Sequence, residues 1–224
     1  MILSTKKFPS REDLVYEALK ESILSGQFKP SEVINQSEIA QQIGTSIIPV
    51  RTAISRLVAE GLLTQDPYHS PQVSALSKDD LEEILVIGMH LEVLAIREAI
   101  PHIGPIEIEK LRTFLDEMST AVRRGDLQNY GSLNRQFHMA IYEYCPYPRL
   151  RQMIADLWTK VDMNQYQTMY DLVPDLAGHT QEDHERLLQL IEEQRGEDAV
   201  RLLEEHKRFS RQGFLATFEQ IRPG

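Results

Sequence analysis

Asn134 and His138, in the run LNRQFH, stand four residues apart and share one face if that run is helical. His184 lies twelve residues before Gly196 and His206 ten residues after it. If the helices on either side of Gly196 pack antiparallel, a rise of about 1.5 Å per residue brings both imidazoles to the same level. Three imidazoles and one side-chain oxygen converging inside a helical bundle form a donor set for a divalent transition metal. With an open coordination position the same set could activate water, so a metal-dependent hydrolase or isomerase competes with a binding role. Against turnover, no neighbouring pair stands out as acid and base: Glu143 is five residues beyond His138, on a different part of the helix. A purely structural ion, or an ion that is itself the signal, completes the alternatives. His69, His90, His102 and His179 lack this register and read as surface or hydrogen-bonded residues.

The elements that must hold these side chains are helices. From residue 77 onward there is no convincing strand pattern, and Ser77 with Asp80 has the form of a capping box. The pattern predicts helices near 78–99, 106–124, 127–145, 148–170, 180–195 and 197–221. They are separated by Pro101, Gly104 and Pro105, by Gly125, by Pro146 and Pro148, by Pro174 and Gly178, and by Gly196. Short connections between antiparallel neighbours make this an all-α bundle of about six helices.

The first 76 residues are organised differently. In NQSEIAQQIGTSIIPVRTAISRLVAEGLL, Asn35 can cap a helix with Glu38 reaching back to it, and Ile39, Ala40 and Ile43 form an inward stripe. Gly44 can close that helix in a left-handed conformation, and Ser46 can cap the next, with Pro49 in its first turn. On the second helix Val50, Ile54, Leu57 and Val58 share one face, leaving Ile48, Thr52, Ser55 and Arg56 turned away and Arg51 on the flank. Such a helix can enter a major groove, where Ile48 could meet a thymine methyl. An amphipathic helix from Arg11 to Phe28, with Leu14, Ala18, Leu19 and Ile23 inward, precedes the pair. Two short strands follow, Leu62–Gln65 and Gln72–Ala75, about the turn DPYHSP. Helix, helix-turn-helix and wing in that order describe a winged DNA-reading domain; a small helical hairpin of another purpose is the plainer alternative.

Composition bounds the partners. The net charge of −10 falls almost wholly after residue 76, where 17 basic face 26 acidic side chains, so that part is not a nucleic-acid surface. Residues 1–76 hold seven Lys or Arg against eight Asp or Glu. DNA affinity must then come from a few placed groups and from dimerisation rather than from a broad basic surface. Hydrophobic residues at 42% and charged residues at 26% are ordinary for a soluble globular protein. The single Cys145 suits a reducing compartment, and MILSTKKFPS lacks the apolar run of a signal peptide. No stretch is long enough to span a bilayer, so a cytoplasmic protein without membrane attachment is expected.

Residues 8–76 resemble the DNA-binding domain of the GntR family of bacterial transcriptional regulators, through SEIAQQIGTSIIPVRTAISRLVAEGLL. The resemblance implies that Ser46 and Arg51 contact an operator, together with wing-tip residues near His69 and Ser70. With the residues that face away from the helix core, the expected DNA-binding set is Thr45, Ser46, Ile48, Arg51, Thr52, Ser55, His69 and Ser70. Ile47 stands where the family usually has arginine, Ser37 where another arginine often sits, Thr52 for a glutamate and Ser70 for the wing glycine. Fewer charged contacts imply weaker or differently selected DNA binding.

The remainder is similar to the FCD effector domain of FadR-type GntR regulators, through LNRQFHMAIYEY and EDHERLLQLIEEQRGEDAVRLLEEHKRF. Metal-binding members hold Zn²⁺, Ni²⁺ or Mn²⁺ with an aspartate and three histidines, which carries over to Asn134, His138, His184 and His206. An amide in place of the carboxylate leaves the site one unit more positive, weakening metal binding somewhat but strengthening the pull on an anion in an open position. Gly88 stands where the family often has an arginine, four residues before Glu92. The effector pocket therefore differs at Gly88, and His90 or Lys160 are candidates to replace the missing cation. The expected protein is mainly α and not an enzyme: a winged helix-turn-helix over 1–76 and an all-helical effector-binding and dimerisation domain over 77–224. As a homodimer it would read a pseudo-palindromic double-stranded operator, with a small carboxylate effector at the metal altering that binding.

Overall fold

Ser10 opens the first helix through a full capping box, its hydroxyl accepting from the Asp13 N–H while the Asp13 carboxylate accepts from the Ser10 N–H. The computed structural model describes residues 10–163 and 169–221. They form two compact units, the chain passing from one to the other after Leu76.

In the first unit α1 (Arg11–Leu24), α2 (Gln36–Ile43) and α3 (Ile47–Ala59) precede a two-stranded antiparallel sheet, β1 (Leu63–Thr64) and β2 (Gln72–Val73). Leu63 pairs with Val73 and Thr64 with Gln72, and Val33 adds an isolated bridge to Gln72. The core joins Val15, Leu19 and Ile23 of α1 to Val50, Ile54 and Leu57 of α3. α1 is shorter than expected, ending at Leu24 before Gly26, whose φ of 76° breaks the helix. Leu14 is 53% exposed and its neighbour Val15 fully buried, the reverse of the expected inward stripe. Two adjacent apolar residues sit 100° apart on a helix, and the one in line with Leu19 and Ile23 wins the core. Ile43 is likewise 40% exposed.

The helix-turn-helix junction has the expected shape with different bonds. Asn35 Oδ1 accepts from the Ser37 and Glu38 N–H groups, but the Glu38 carboxylate accepts from the Asn35 side-chain amide at 2.8 Å instead of its backbone N–H. Gly44 closes α2 at φ 70°, a left-handed position where a Cβ is costly. Ser46 has the extended backbone of an N-cap, yet its hydroxyl makes no capping bond.

In the second unit six long helices and one single-turn helix are described: α4 (Lys78–Ala99), α5 (Pro105–Arg124), α6 (Leu127–Tyr142), α7 (Pro148–Met163), α8 (Met169–Leu172), α9 (Pro174–Glu192) and α10 (Gly196–Ile221). A 3₁₀ turn, Ile100–His102, follows α4. α9 begins at Pro174, earlier than the expected residue 180. Proline at the first helical position needs no N–H partner, so a residue that reads as a breaker here starts the helix and Gly178 is carried inside it. α6 ends at Tyr142 and α7 at Met163, short of the expected 145 and 170, the latter lying beyond a stretch outside the described residues. α10 packs on α4 and α9, α9 on α5, and α5 on α6, so that α6, α9 and α10 face one interior. Among the described residues no helix is long and apolar enough to cross a membrane.

The start of α4 rests on Ser77, whose hydroxyl accepts from the Asp80 N–H at 3.1 Å while Asp80 accepts from the Ser77 N–H at 3.0 Å. Ser77→Ala removes one half of that exchange and should cost about 1 kcal/mol. A urea-unfolding midpoint unchanged from wild type would contradict this account of the helix start.

Candidate metal centre and DNA-contacting face

His138 on α6, His184 on α9 and His206 on α10 meet inside the second unit, each offering a ring nitrogen within 4.8 Å of the others. All three are buried. Their outer nitrogens face polar partners. Thr180 donates to the Leu176 carbonyl, so Tyr130 donates to Thr180 at 2.7 Å and keeps an oxygen lone pair facing His184 Nδ1 at 3.5 Å. Tyr142 donates to Glu92 Oε2 at 2.7 Å and in the same way faces His138 Nδ1 at 3.5 Å. His206 Nδ1 donates to Asp183 Oδ2 at 3.1 Å. The bond to Asp183 puts the His206 proton on Nδ1; with His138 and His184 also protonated at Nδ1, the tautomer that metal ligation requires, each Nε2 would present a lone pair. His138 Nε2 and His184 Nε2 are 3.1 Å apart.

At this distance one Nε2–H can donate to the other Nε2, and a cation that replaces that proton would meet lone pairs from both rings. The N···N edge of a tetrahedron built on metal–nitrogen bonds of about 2.0–2.1 Å is about 3.3 Å, close to this separation. Imidazoles whose second nitrogen is fixed by a carboxylate or hydroxyl are the ordinary surroundings of a metal site. Asn134, one turn before His138, is 4% exposed, and its Oδ1 is buried without a hydrogen-bond partner. The donor set thus fits a divalent transition metal, with a neutral amide oxygen as a candidate fourth group.

Electrostatics agrees with neutral ligands. Burial pushes His138 and His184 well below the usual imidazole range, and the Lys207 ammonium and the neighbouring imidazoles push the same way. Burial also lowers His206, partly offset by its bond to Asp183.

A cavity of about 540 Å³, its mouth included, lies beside Asn134 and His206. Gly88 lies on its wall, whereas the two candidate substitutes for the missing arginine do not. His90 is exposed with its ring against the Val86 carbonyl at 2.8 Å, and Lys160 is an exposed residue of α7. The cations that line the cavity are Lys207 and Arg211 of α10; Lys207 Nζ is 2.6 Å from Glu92 Oε2 and 4.8 Å from the centre of the Trp158 ring. The position of Lys207 was missed because adjacency to His206 in sequence places it 100° away on the helix. Only the pairing of α10 with α4 shows that this direction leads to Glu92. Glu143 is exposed and reaches Arg151, away from the cavity.

In the first unit Ser46, Ile48, Arg51, Thr52, Ser55, His69 and Ser70 are all exposed, while Thr45 is half-buried at the turn. Ile48 is 70% exposed, far from any core role. Arg51 Nε donates to Gln36 Oε1 at 3.2 Å, holding the guanidinium between α2 and α3. Arg56, although exposed, is committed within the unit: it lies 3.6 Å over the Tyr16 ring and pairs with Asp13 and Glu60. Tyr68, which sequence reasoning passed over, stands fully exposed between the strands at φ 70°. Its place in the DPYHSP turn was the available signal.

Residues 83–209 match the FCD domain, and residues 12–69 match the bacterial regulatory proteins of the gntR family. The HTH-type transcriptional regulator McbR of Escherichia coli strain K12 is 33% identical over 143 residues, which are 64% of this chain and 65% of that protein. An uncharacterised HTH-type regulator of Bacillus subtilis strain 168, YdhC, is 31% identical over 62% of each chain. The matched stretches thus span just under two thirds of these relatives. The solved structure of E. coli McbR/YncC superposes with a TM-score of 0.78 at 27% identity, covering 96% of this chain and 100% of that one. A GntR regulator of Rhodococcus sp. RHA1 shares the fold, with a TM-score of 0.77 at 18% identity over 92% of this chain and 98% of that one.

The buried neutral histidines fix how the metal-free protein responds to acid. Their folded pKa values lie below the ordinary 6.5, so stability is complete above pH 6.5. As pH falls below that, the unfolded chain binds protons that the folded chain refuses, and stability drops by about 1.4 kcal/mol per pH unit for each such histidine. Urea titrations of chelator-treated protein should show this loss between pH 6.5 and 5. A flat profile across that window would show that the imidazoles are protonated, or accessible, in the fold.

Proposed function

Because the chain belongs to the GntR family of bacterial regulatory proteins and carries an FCD domain, we propose that it is a transcriptional regulator whose operator binding responds to a small carboxylate bound at a metal. The observation that carries this reading is the set of three buried imidazoles, each offering a ring nitrogen within 4.8 Å of the others and each facing a hydroxyl or carboxylate through its outer nitrogen. Residues 1–76 act as the DNA-binding domain and residues 77–224 as the domain for effector binding and dimerisation. Two copies place two winged units on a pseudo-palindromic duplex operator.

His138, His184 and His206 hold the ion, with Asn134 Oδ1 as the fourth donor, and Zn²⁺, Ni²⁺ or Mn²⁺ suits such nitrogen and oxygen donors. A divalent ion bound there supplies a positive centre with room for an anion. Tyr130, Tyr142 and Asp183 orient the imidazoles, and burial keeps them neutral. Lys207 adds positive charge on the cavity wall, its ammonium lying over the Trp158 ring. The cavity carboxylate Glu92 is engaged by Tyr142 and Lys207, which favours binding over turnover. In the first unit Arg51, Ser46 and Ile48 approach the major groove from α3, and His69, Ser70 and Tyr68 approach from the wing.

Elemental analysis of the purified, tag-free protein should find about one ion per chain. His138→Ala should lose it, and Asn134→Asp should hold it more tightly against a chelator. Metal retained in full by His138→Ala would remove the proposed centre while leaving the winged unit's role untouched. A duplex selected from a random pool gives the operator for the second test. On it Arg51→Ala should bind at least about tenfold more weakly, the loss of one good base or phosphate contact. Undiminished affinity would show that α3 does not read DNA through that guanidinium.

A further inference from the structure

The cavity beside His206 has unpaired polar atoms one helical turn away from the proposed metal. Along α10 its wall runs His206, Lys207, Ser210 and Arg211, then Phe214. Ser210 is 6% exposed, and its Oγ has no hydrogen-bond partner. Other helical hydroxyls of this unit behave differently: those of Thr113, Thr120, Thr159, Thr180 and Thr217 each donate to the carbonyl one turn back. That bond is the ordinary refuge of a hydroxyl on a helix, and Ser210 does not take it. Arg211 Nε is also buried without a partner, and its Nη1 comes no nearer than 4.0 Å to Glu82 Oε1. A buried polar atom left unpaired is costly, so two on one wall, one turn from His206, point to a ligand group that completes them.

Charge gives a second, independent argument. Lys207 and Glu92 are 2.6 Å apart and neutralise each other, whereas Arg211 meets its carboxylate only at 4.0 Å. With neutral imidazoles, a neutral Asn134 and a divalent ion, a single carboxylate would leave the cavity with excess positive charge. A buried charge is tolerated when it is paired.

The geometry points to a two-headed site for a short dicarboxylate, one head at the metal and Lys207, the other at Ser210 Oγ and Arg211 Nε. This rests on the carboxylate-at-metal reading and adds the second head. The two ends of the site are one helical turn apart, about 6 Å along α10, the reach of a three- or four-methylene spacer. Leu157, Trp158 and Phe214 supply an apolar wall for that spacer. Gly88 keeps the opposite wall clear: a Cβ there would already stand 3.6 Å from Glu92 Oε1 and 3.9 Å from Leu157 Cδ1, so a longer side chain would enter the cavity.

The test is calorimetry on the metal-loaded, full-length protein with the dicarboxylates from malonate to adipate, each against the monocarboxylate of equal carbon number. In wild type the best dicarboxylate should bind at least tenfold more tightly than its single-headed match. In Ser210→Ala/Arg211→Gln that preference should shrink to threefold or less, with metal content and monocarboxylate affinity unchanged. Equal affinity of both acids for wild type, or a preference that survives the double variant, would overturn the second head and leave the carboxylate-at-metal reading standing. Binding of neither acid would overturn that reading and the two-headed site together.

Discussion

Three buried imidazoles brought together from three helices are the constraint around which the second unit is arranged. Bringing His138 Nε2 to 3.1 Å from His184 Nε2 costs the desolvation of the rings, which lowers their proton affinity. The surrounding groups hold that arrangement. Tyr130 with Thr180, Tyr142 with Glu92, and Asp183 each lie against the outer nitrogen of one ring. Each of these partners comes from a different turn of α4, α6 or α9, so the helices cannot slide past one another without misaligning a ligand. Packing and site geometry are one requirement here, and Phe137, edge-on to both His138 and His184, fills the space between them.

The first unit meets a different constraint, which is scarcity of charge. With its basic and acidic residues nearly balanced, it cannot rely on counterion release for most of its DNA affinity. Part of its small supply is spent internally. Arg56 and Lys20 join Glu60 and Tyr16 in a cluster that ties α1 to α3, which leaves Arg51 as the α3 cation directed outward. Sequence-specific contacts, the apolar Ile48 among them, must then carry a larger share of the binding than in a strongly basic domain.

Much of this was legible in the sequence where the signal was local. The fourfold spacing of Asn134 and His138, and the near-equal distances of His184 and His206 from Gly196, locate the histidines because helical rise and period translate directly into position. The capping box at Ser77 and the left-handed Gly44 are local for the same reason. What sequence could not give was decided between elements. Val15 displaces Leu14 from the core because α3 approaches from one side only. Lys207 lines the cavity, and His90 and Lys160 do not, because α10 lies against α4 with Lys207 opposite Glu92. The Ser46 hydroxyl, free to cap α3 by type and position, makes no such bond, which leaves it available on the exposed turn.

Effector response in the proposed regulator requires that the occupied and empty cavity differ in what they favour at the DNA, since a ligand shifts an equilibrium only by its differential affinity for the two states. α4 is well placed to carry that difference by covalent continuity alone. It begins at Lys78, two residues after the first unit's last residue, and its Gly88 and Glu92 form one wall of the cavity. α10 forms the facing wall with His206 and Lys207. The Lys207–Glu92 pair therefore spans the two helices that a ligand would have to accommodate. An anion drawing Lys207 toward itself weakens that pair, and α4 can then settle against α10 in a different position. A ligand held only by the histidines would lack this lever. In the proposed regulator Lys207 would thus be the residue through which ligand charge acts on α4, the helix that continues from Leu76.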